Sequence, residues 1–188
     1  GQDAVEFYLL SERVSKQVKV VQSGQGADEV FAGYFWFPQM HQDINGSAVA
    51  RFARYYFDRT HDEFLEMVTP DYRGDDFTSQ KVAELLGQPK ADEFIDRVLR
   101  MDTTTLIVDD PVKRVDNMTM AWVLEARVPV LDHQLVELAA SMPPEMKLQS
   151  GGEHVLKKSA RGLVPAPVIE RPRGPLPVGA RTYVRGWC

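Results

Sequence analysis

Apolar residues recur along this chain mostly at helical spacing. In residues 3 to 16, DAVEFYLLSERVSK, Phe7, Leu10 and Val14 share one face while Glu6, Glu12 and Arg13 lie mostly elsewhere, which predicts a helix. Val18, Val20 and Val21 follow as a β-branched run suited to a buried strand. Ser23-Gly24-Gln25-Gly26 comes directly after it, and Ala27 to Tyr34 reads as a second helix with Asp28 and Glu29 in its first turn. Phe31, Tyr34, Phe35, Trp36 and Phe37 then stand at mixed spacing, the pattern of core packing. Pro38 is expected to end or kink that helix.

Downstream, start and stop signals divide the chain further. Ser47 caps a helix carrying Phe52, Tyr55 and Tyr56, and Thr60-His61-Asp62-Glu63 is a capping box before Phe64 and Leu65. Thr78 reads as the cap of a short helix that Gly87 closes, and Phe94, Ile95, Val98 and Leu99 repeat at helical spacing after Pro89. Asp110-Pro111 predicts a cap and a first-turn proline for a helix running to about Leu124. Glu125 to Pro129 is its exit, Asp132 caps the next helix, Pro143-Pro144 stops it, and Gly151-Gly152 precedes a helix with Val155 and Leu156. Val164 to Val178 carries five prolines and is expected to be extended or looped. The pattern is mostly α, with one strand and about seven helices. A lone strand cannot pair with itself, so its sheet is expected from chain outside this sequence or from a partner.

Composition narrows the class. At 188 residues the expectation is one domain, 1–188; 44% hydrophobic and 26% charged residues are ordinary for a globular fold. A net charge of −5 argues against nucleic acid as a partner. No apolar run approaches the roughly 20 residues that span a bilayer. The single cysteine, Cys188, excludes an internal disulfide and fits a reducing, cytoplasmic compartment. Gly1 in place of an initiator Met, and a start that reads as mid-helix, suggest a fragment of a longer protein.

The glycine turn is where chemistry enters. Strand, glycine-rich turn and helix together set backbone N–H groups and a helix N-terminus beside an anion, and two glycines let a ligand come close. The same segment also reads as a plain connecting turn, with acidic residues complementing the helix dipole.

Residues 23 to 34, S-G-Q-G-A-D-E-V-F-A-G-Y, resemble the S-G-E-G-[SA]-D-E-[LV]-F-[GA]-G-Y segment of the asparagine synthetase family. The resemblance extends over almost the whole chain and implies the C-terminal part of an ATP-binding synthetase domain. Its parent fold is an adenine nucleotide alpha hydrolase-like α/β fold, a PP-loop ATP pyrophosphatase. The S-G-G-x-D-S pyrophosphate loop and the glutaminase domain with its N-terminal cysteine nucleophile have no counterpart in this sequence, which implies an inactive fragment. The implied activity is amide formation: ATP adenylates a carboxylate, and ammonia from glutamine displaces AMP. The implied partners are ATP, the acceptor and the missing N-terminal part, with a homo-oligomer as a further option.

The family motif carries over residue by residue. Ser23 and Gly24 match positions that contact ATP, and Asp28 matches a carboxylate implicated in Mg²⁺ binding, a role suited to a hard oxygen ligand. Gln25 stands where asparagine synthetases carry Glu, and it can orient a nucleophile but accept no proton as a base. Arg173, in R-P-R-G, matches a Lys that reaches the α-phosphate; it keeps the charge and changes the geometry. Glu153 stands where many relatives have Lys, so it either weakens phosphate binding, with Lys157 compensating, or faces solvent. Arg114, Asp116, Glu125, Arg127 and Asp132 read as ion pairs and a helix cap. R-V-D-N-M-T-M-A and R-P-R-G are most similar to the branch that amidates a short acetylated dipeptide, the N-acetylglutaminylglutamine amidotransferases. The alternatives are amidation of aspartate and a non-catalytic helical binding module.

Overall fold

The computed structural model describes residues 2–171. Arg173 and the rest of the proline-rich stretch lie outside the described residues. Helix α1 (Gln2–Ser15) leads into strand β1 (Val20–Gln22), and the chain returns to that strand only after a long helical excursion. Strand β2 (Glu125–Arg127) pairs with β1 in parallel, Val20, Val21 and Gln22 lying opposite Glu125, Ala126 and Arg127.

This pairing corrects the expectation of a lone strand. The partner is the segment read as a helix exit, whose three residues E-A-R show no β-branched run. Nor is β1 buried: Val20 is 57% exposed and Val18 is exposed as well. The face expected on α1 shifts too. Phe7, Ser11 and Val14 turn inward, with Ser11 buried and donating to the Phe7 carbonyl at 2.6 Å, while Leu10 is 59% exposed.

Between the strands the helices build one aromatic-rich core. α2 (Ala27–Phe31) stops after five residues because Ala32 takes the left-handed conformation, and Ala32 and Gly33 both donate to the Asp28 carbonyl. α3 (Phe37–Gln42) starts, rather than ends, at Pro38, whose missing N–H is harmless in a first turn. α4 (Ala48–Tyr56) is capped by Ser47, and α5 (His61–Met67) by the full Thr60–Glu63 capping box. α6 (Phe77–Leu86) is capped by Asp76, which accepts from Ser79 N at 2.9 Å, and not by Thr78. Phe37, Met40, Phe52, Val82, Leu86, Ile95, Val98 and Leu99 close this core, with Tyr34, Trp36, Tyr55 and Tyr56 packed against it.

α7 (Phe94–Met101) and α8 (Lys113–Met120) are joined end to end through two wide π turns, Asp102–Leu106 and Val108–Val112, with Pro111 inside the second. Asp110-Pro111 is therefore not a helix start. A proline lacks the N–H of a regular α-turn, and the π register tolerates the gap without breaking the rod. Asp110 instead takes the Arg114 guanidinium, one turn on.

A second, smaller core forms where Val30 and Phe31 meet Ala139, with Leu131, Leu135, Val136 and Leu156 around them. It joins α2 to α9 (His133–Ala140), which Asp132 caps, and to α11 (His154–Ala160); α10 (Pro144–Leu148) starts at the proline pair expected to stop α9, and α12 (Ala166–Ile169) occupies part of the stretch expected to be extended. Glu125 and Arg127 pair at 2.9 Å on the surface, where such a pair contributes little to stability.

Two substitutions test these local rules by urea denaturation. Thr60→Ala removes the capping box and is expected to cost about 1 kcal/mol. Gly152→Ala is expected to cost more, roughly 1–3 kcal/mol from its backbone conformation alone, because φ 103° and ψ 164° suit only glycine. A Cβ there would also stand 2.1 Å from the Ala32 carbonyl oxygen.

Candidate nucleotide and acceptor site

The glycine turn sits at the carboxyl end of β1, where open parallel sheets receive ligands. Ser23 N donates to the Arg127 carbonyl at 2.8 Å and so prolongs the pairing with β2. Among the described residues, the N–H groups of Gly24, Gln25 and Gly26 then donate to no protein atom. Gly24 is exposed, Gln25 half-buried and Gly26 buried, so the outer amides of this turn are the ones available to an anion.

The two glycines differ in what they do. Gly26 has φ 95°, and a Cβ there would lie 2.3 Å from Leu131 Cδ2, so the fold requires it. Gly24 is exposed, and a Cβ there would meet nothing within 4 Å. The fold makes no demand on it.

Asp28 is half-buried one turn further on. A Cβ on Gly33 would lie 2.2 Å from Asp28 Oδ1 and 2.9 Å from Glu153 Oε1, which puts the two carboxylates side by side. Glu153 is 8% exposed and does not face solvent. Its N–H donates to the Phe31 carbonyl at 3.0 Å, and Lys157 Nζ stands 3.9 Å from Glu153 Oε2. No group of three or more His, Cys, Asp or Glu suited to a metal occurs among the described residues. Two adjacent carboxylates nevertheless fit Mg²⁺, which keeps waters and uses phosphate oxygens for its remaining positions.

Gln25 points elsewhere than Asp28. It lines a cleft of about 240 Å³ with Phe7, Tyr34, Asp110, Pro111 and Arg114. Neither Ser23, Gly24 nor Asp28 lines that cleft. The candidates thus divide into an amide turn, a carboxylate pair and a small cleft; Arg173 lies outside the described residues.

Behind the cleft lies a buried acid–tyrosine network that the sequence reading missed. Glu29, 2% exposed, accepts from the Tyr34 hydroxyl at 2.5 Å. Asp102 is fully buried and accepts from the Tyr56 hydroxyl through Oδ2, while its Oδ1 has no hydrogen-bond partner. Tyr34 stacks on Trp36 with centroids 4.5 Å apart, and Tyr56 packs edge-on against the same indole. No motif announced Asp102, since only the wide turns of the central rod carry it inward.

Comparison with known proteins shows the family of the chain. The asparagine synthase family profile matches residues 1–187. The chain belongs to that family, whose membership implies an adenine nucleotide alpha hydrolase-like parent fold. It is 25% identical to asparagine synthetase [glutamine-hydrolyzing] 1 of Bacillus subtilis, over 97% of this chain and 34% of that protein. It is 30% identical to a probable asparagine synthetase [glutamine-hydrolyzing] of Schizosaccharomyces pombe, over 81% of this chain and 19% of that protein. The human asparagine synthetase [glutamine-hydrolyzing] is 26% identical over 98% of this chain and 25% of its own length. The chain spans about a third or less of these relatives. Among the described residues no helix is long and apolar enough to cross a membrane.

Burial pushes the Asp102 carboxyl up to about 7; the Tyr56 hydroxyl opposes this rise and the nearby Glu29 charge adds to it. The folded chain therefore keeps a proton there that the unfolded chain releases above about pH 4. Between about pH 4 and pH 7 the folded state binds more protons, so stability falls as pH rises through that window and is level above it. Asp102→Asn is expected to flatten that decline. Urea unfolding at about pH 5 and about pH 7.5 checks it: the wild type should lose roughly 1–3 kcal/mol more than the variant between the two.

Proposed function

We propose that this chain is the acceptor-side part of an ATP-dependent, glutamine-hydrolysing amide-forming ligase. The observation that carries the reading is the run of free amides at Gly24, Gln25 and Gly26, at the end of β1 and beside an exposed glycine the fold does not need. A glycine unused by the fold is explained by a ligand that needs the backbone bare.

In this reading Ser23 and the Gly24–Gly26 amides hold the ATP phosphates. Asp28, with Glu153 beside it, would hold Mg²⁺, which supplies positive charge against the phosphate oxygens. The acceptor carboxylate attacks the α-phosphorus, pyrophosphate leaves, and ammonia attacks the acyl carbon of the adenylate. Arg173 is assigned to the charge that develops on the α-phosphate. Gln25 orients the nucleophile, and Arg114, paired with Asp110, lines the same cleft. At about 240 Å³ the cleft is small for a ligand pocket. Catalysis is then mainly positional and electrostatic.

For the acceptor we propose an acetylated glutamine dipeptide, on the strength of R-V-D-N-M-T-M-A at residues 114–121 and R-P-R-G at 171–174. The second reading is aspartate, which the names of the relatives favour. Products formed by the complete protein from each substrate, with glutamine and ATP, separate the two.

Gly24→Val tests the site itself. A side chain there meets open space, so unfolding midpoints should stay within about 0.5 kcal/mol of wild type. ATP·Mg²⁺ affinity in the complete protein, measured by titration calorimetry, should fall at least about tenfold. Unchanged affinity would remove the amide turn from the site.

A further inference from the structure

Amide formation from ammonia must dispose of a proton, and Gln25 cannot take it. Asp110, the carboxylate in the same cleft, is engaged by Arg114. The cleft wall offers another route. Tyr34 lines the cleft beside Gln25, and its hydroxyl donates to Glu29 Oε1 at 2.5 Å. Glu29 is almost wholly buried, yet it also lines a second cleft, of about 530 Å³, with Asp96, Thr103 and Lys147. One hydrogen bond thus links a residue lining one cleft to a residue lining the other.

Resting on the amide-forming reading above, we propose that Tyr34 and Glu29 form a proton relay that carries the proton from the attacking ammonia to solvent in the second cleft. As the C–N bond forms, the nitrogen holds one proton too many. That proton passes to Tyr34 Oη while the proton of Tyr34 passes to Glu29 Oε1. The bond from the acyl carbon to the AMP oxygen then breaks, AMP leaves with the electron pair, and a neutral amide remains. Glu29 releases its proton to water in the second cleft and accepts again from Tyr34. The sum is acyl adenylate plus ammonia giving amide, AMP and one proton.

The surroundings suit a relay better than a free phenolate base. Burial and then the Glu29 carboxylate hold the Tyr34 hydroxyl well above the usual tyrosine range, so it gives up a proton only as it receives one. Asp102, the other buried acid near Glu29, is occupied by the Tyr56 hydroxyl. Lys147 is committed to Asp96 at 3.0 Å and to the Ala139 carbonyl at 3.2 Å, leaving Glu29 to Tyr34.

The test uses the complete protein with two nucleophiles. Acceptor-dependent exchange of pyrophosphate into ATP is measured first on the wild type; its absence removes the adenylation reading and the relay with it. With exchange present, Tyr34→Phe keeps the stack on Trp36, and Glu29→Gln keeps an acceptor for the tyrosine hydroxyl but no base. Each is expected to slow ammonia-dependent amide formation about 10²-fold. Each should slow hydroxamate formation from hydroxylamine far less, because that nucleophile sheds its proton to water readily. Equal loss with both nucleophiles, in both variants, would make the pair structural and overturn the relay while leaving adenylation standing. Amide formation at the wild-type rate in either variant, or a loss confined to Asp110→Asn, would overturn it equally.

Discussion

The arrangement depends on two backbones approaching where neither carries a side chain. Gly33 follows α2, and Gly152 precedes α11; a Cβ at Gly152 would stand 3.2 Å from the Gly33 Cα and 2.1 Å from the Ala32 carbonyl oxygen. That proximity lets Glu153 N reach the Phe31 carbonyl, and it is what brings the Glu153 carboxylate beside Asp28. α2 is too short, at five residues, to hold its own position by helical hydrogen bonds. It is clamped instead, by this contact at its end, by Leu131 against Gly26 at its start and by the small core around Val30 and Phe31 along its length.

A clamped α2 makes the turn before it rigid, and it sorts the polar groups around it. The Gly24–Gly26 amides stay out of the sheet because Ser23 prolongs the β1–β2 pairing and commits the chain only up to that point. Asp28 leaves toward Glu153, Gln25 toward Arg114, and Glu29 inward to Tyr34. Side chains within the one segment 25 to 29 thereby serve a carboxylate pair, a cleft and a buried acid network. A buried acid such as Glu29 or Asp102 costs stability, and a partner hydroxyl offsets only part of that cost.

Much of this was legible in the residues. The capping box at Thr60, the caps at Ser47 and Asp132 and the glycine turn after β1 are local devices, and local devices survive any tertiary context. The dense motif over residues 23 to 34 marked the family, whose profile covers the chain. Pro143-Pro144 does stand at a boundary, between the end of α9 and the start of α10. Pro111 does not, because a proline forbids one hydrogen bond rather than a helix, and the wide turns at 102–112 absorb it. E-A-R at 125–127 carries no strand signal of its own and is a strand only because β1 lies alongside.

By itself the sequence determined where helices are capped, which turn lacks side chains and which chemical groups are available: a carboxylate at 28, an amide at 25, an acid at 29. Only the tertiary structure decided which of them meet. Glu153 reads as a charge out of place until the Gly33–Gly152 contact sets it beside Asp28, and nothing in the sequence singles out Asp102, which a rod of wide turns carries into the aromatic core. The reason is physical: caps and turns are settled within four residues, whereas burial and pairing are settled by segments far along the chain, as Val20 with Glu125 and Gly33 with Gly152 are.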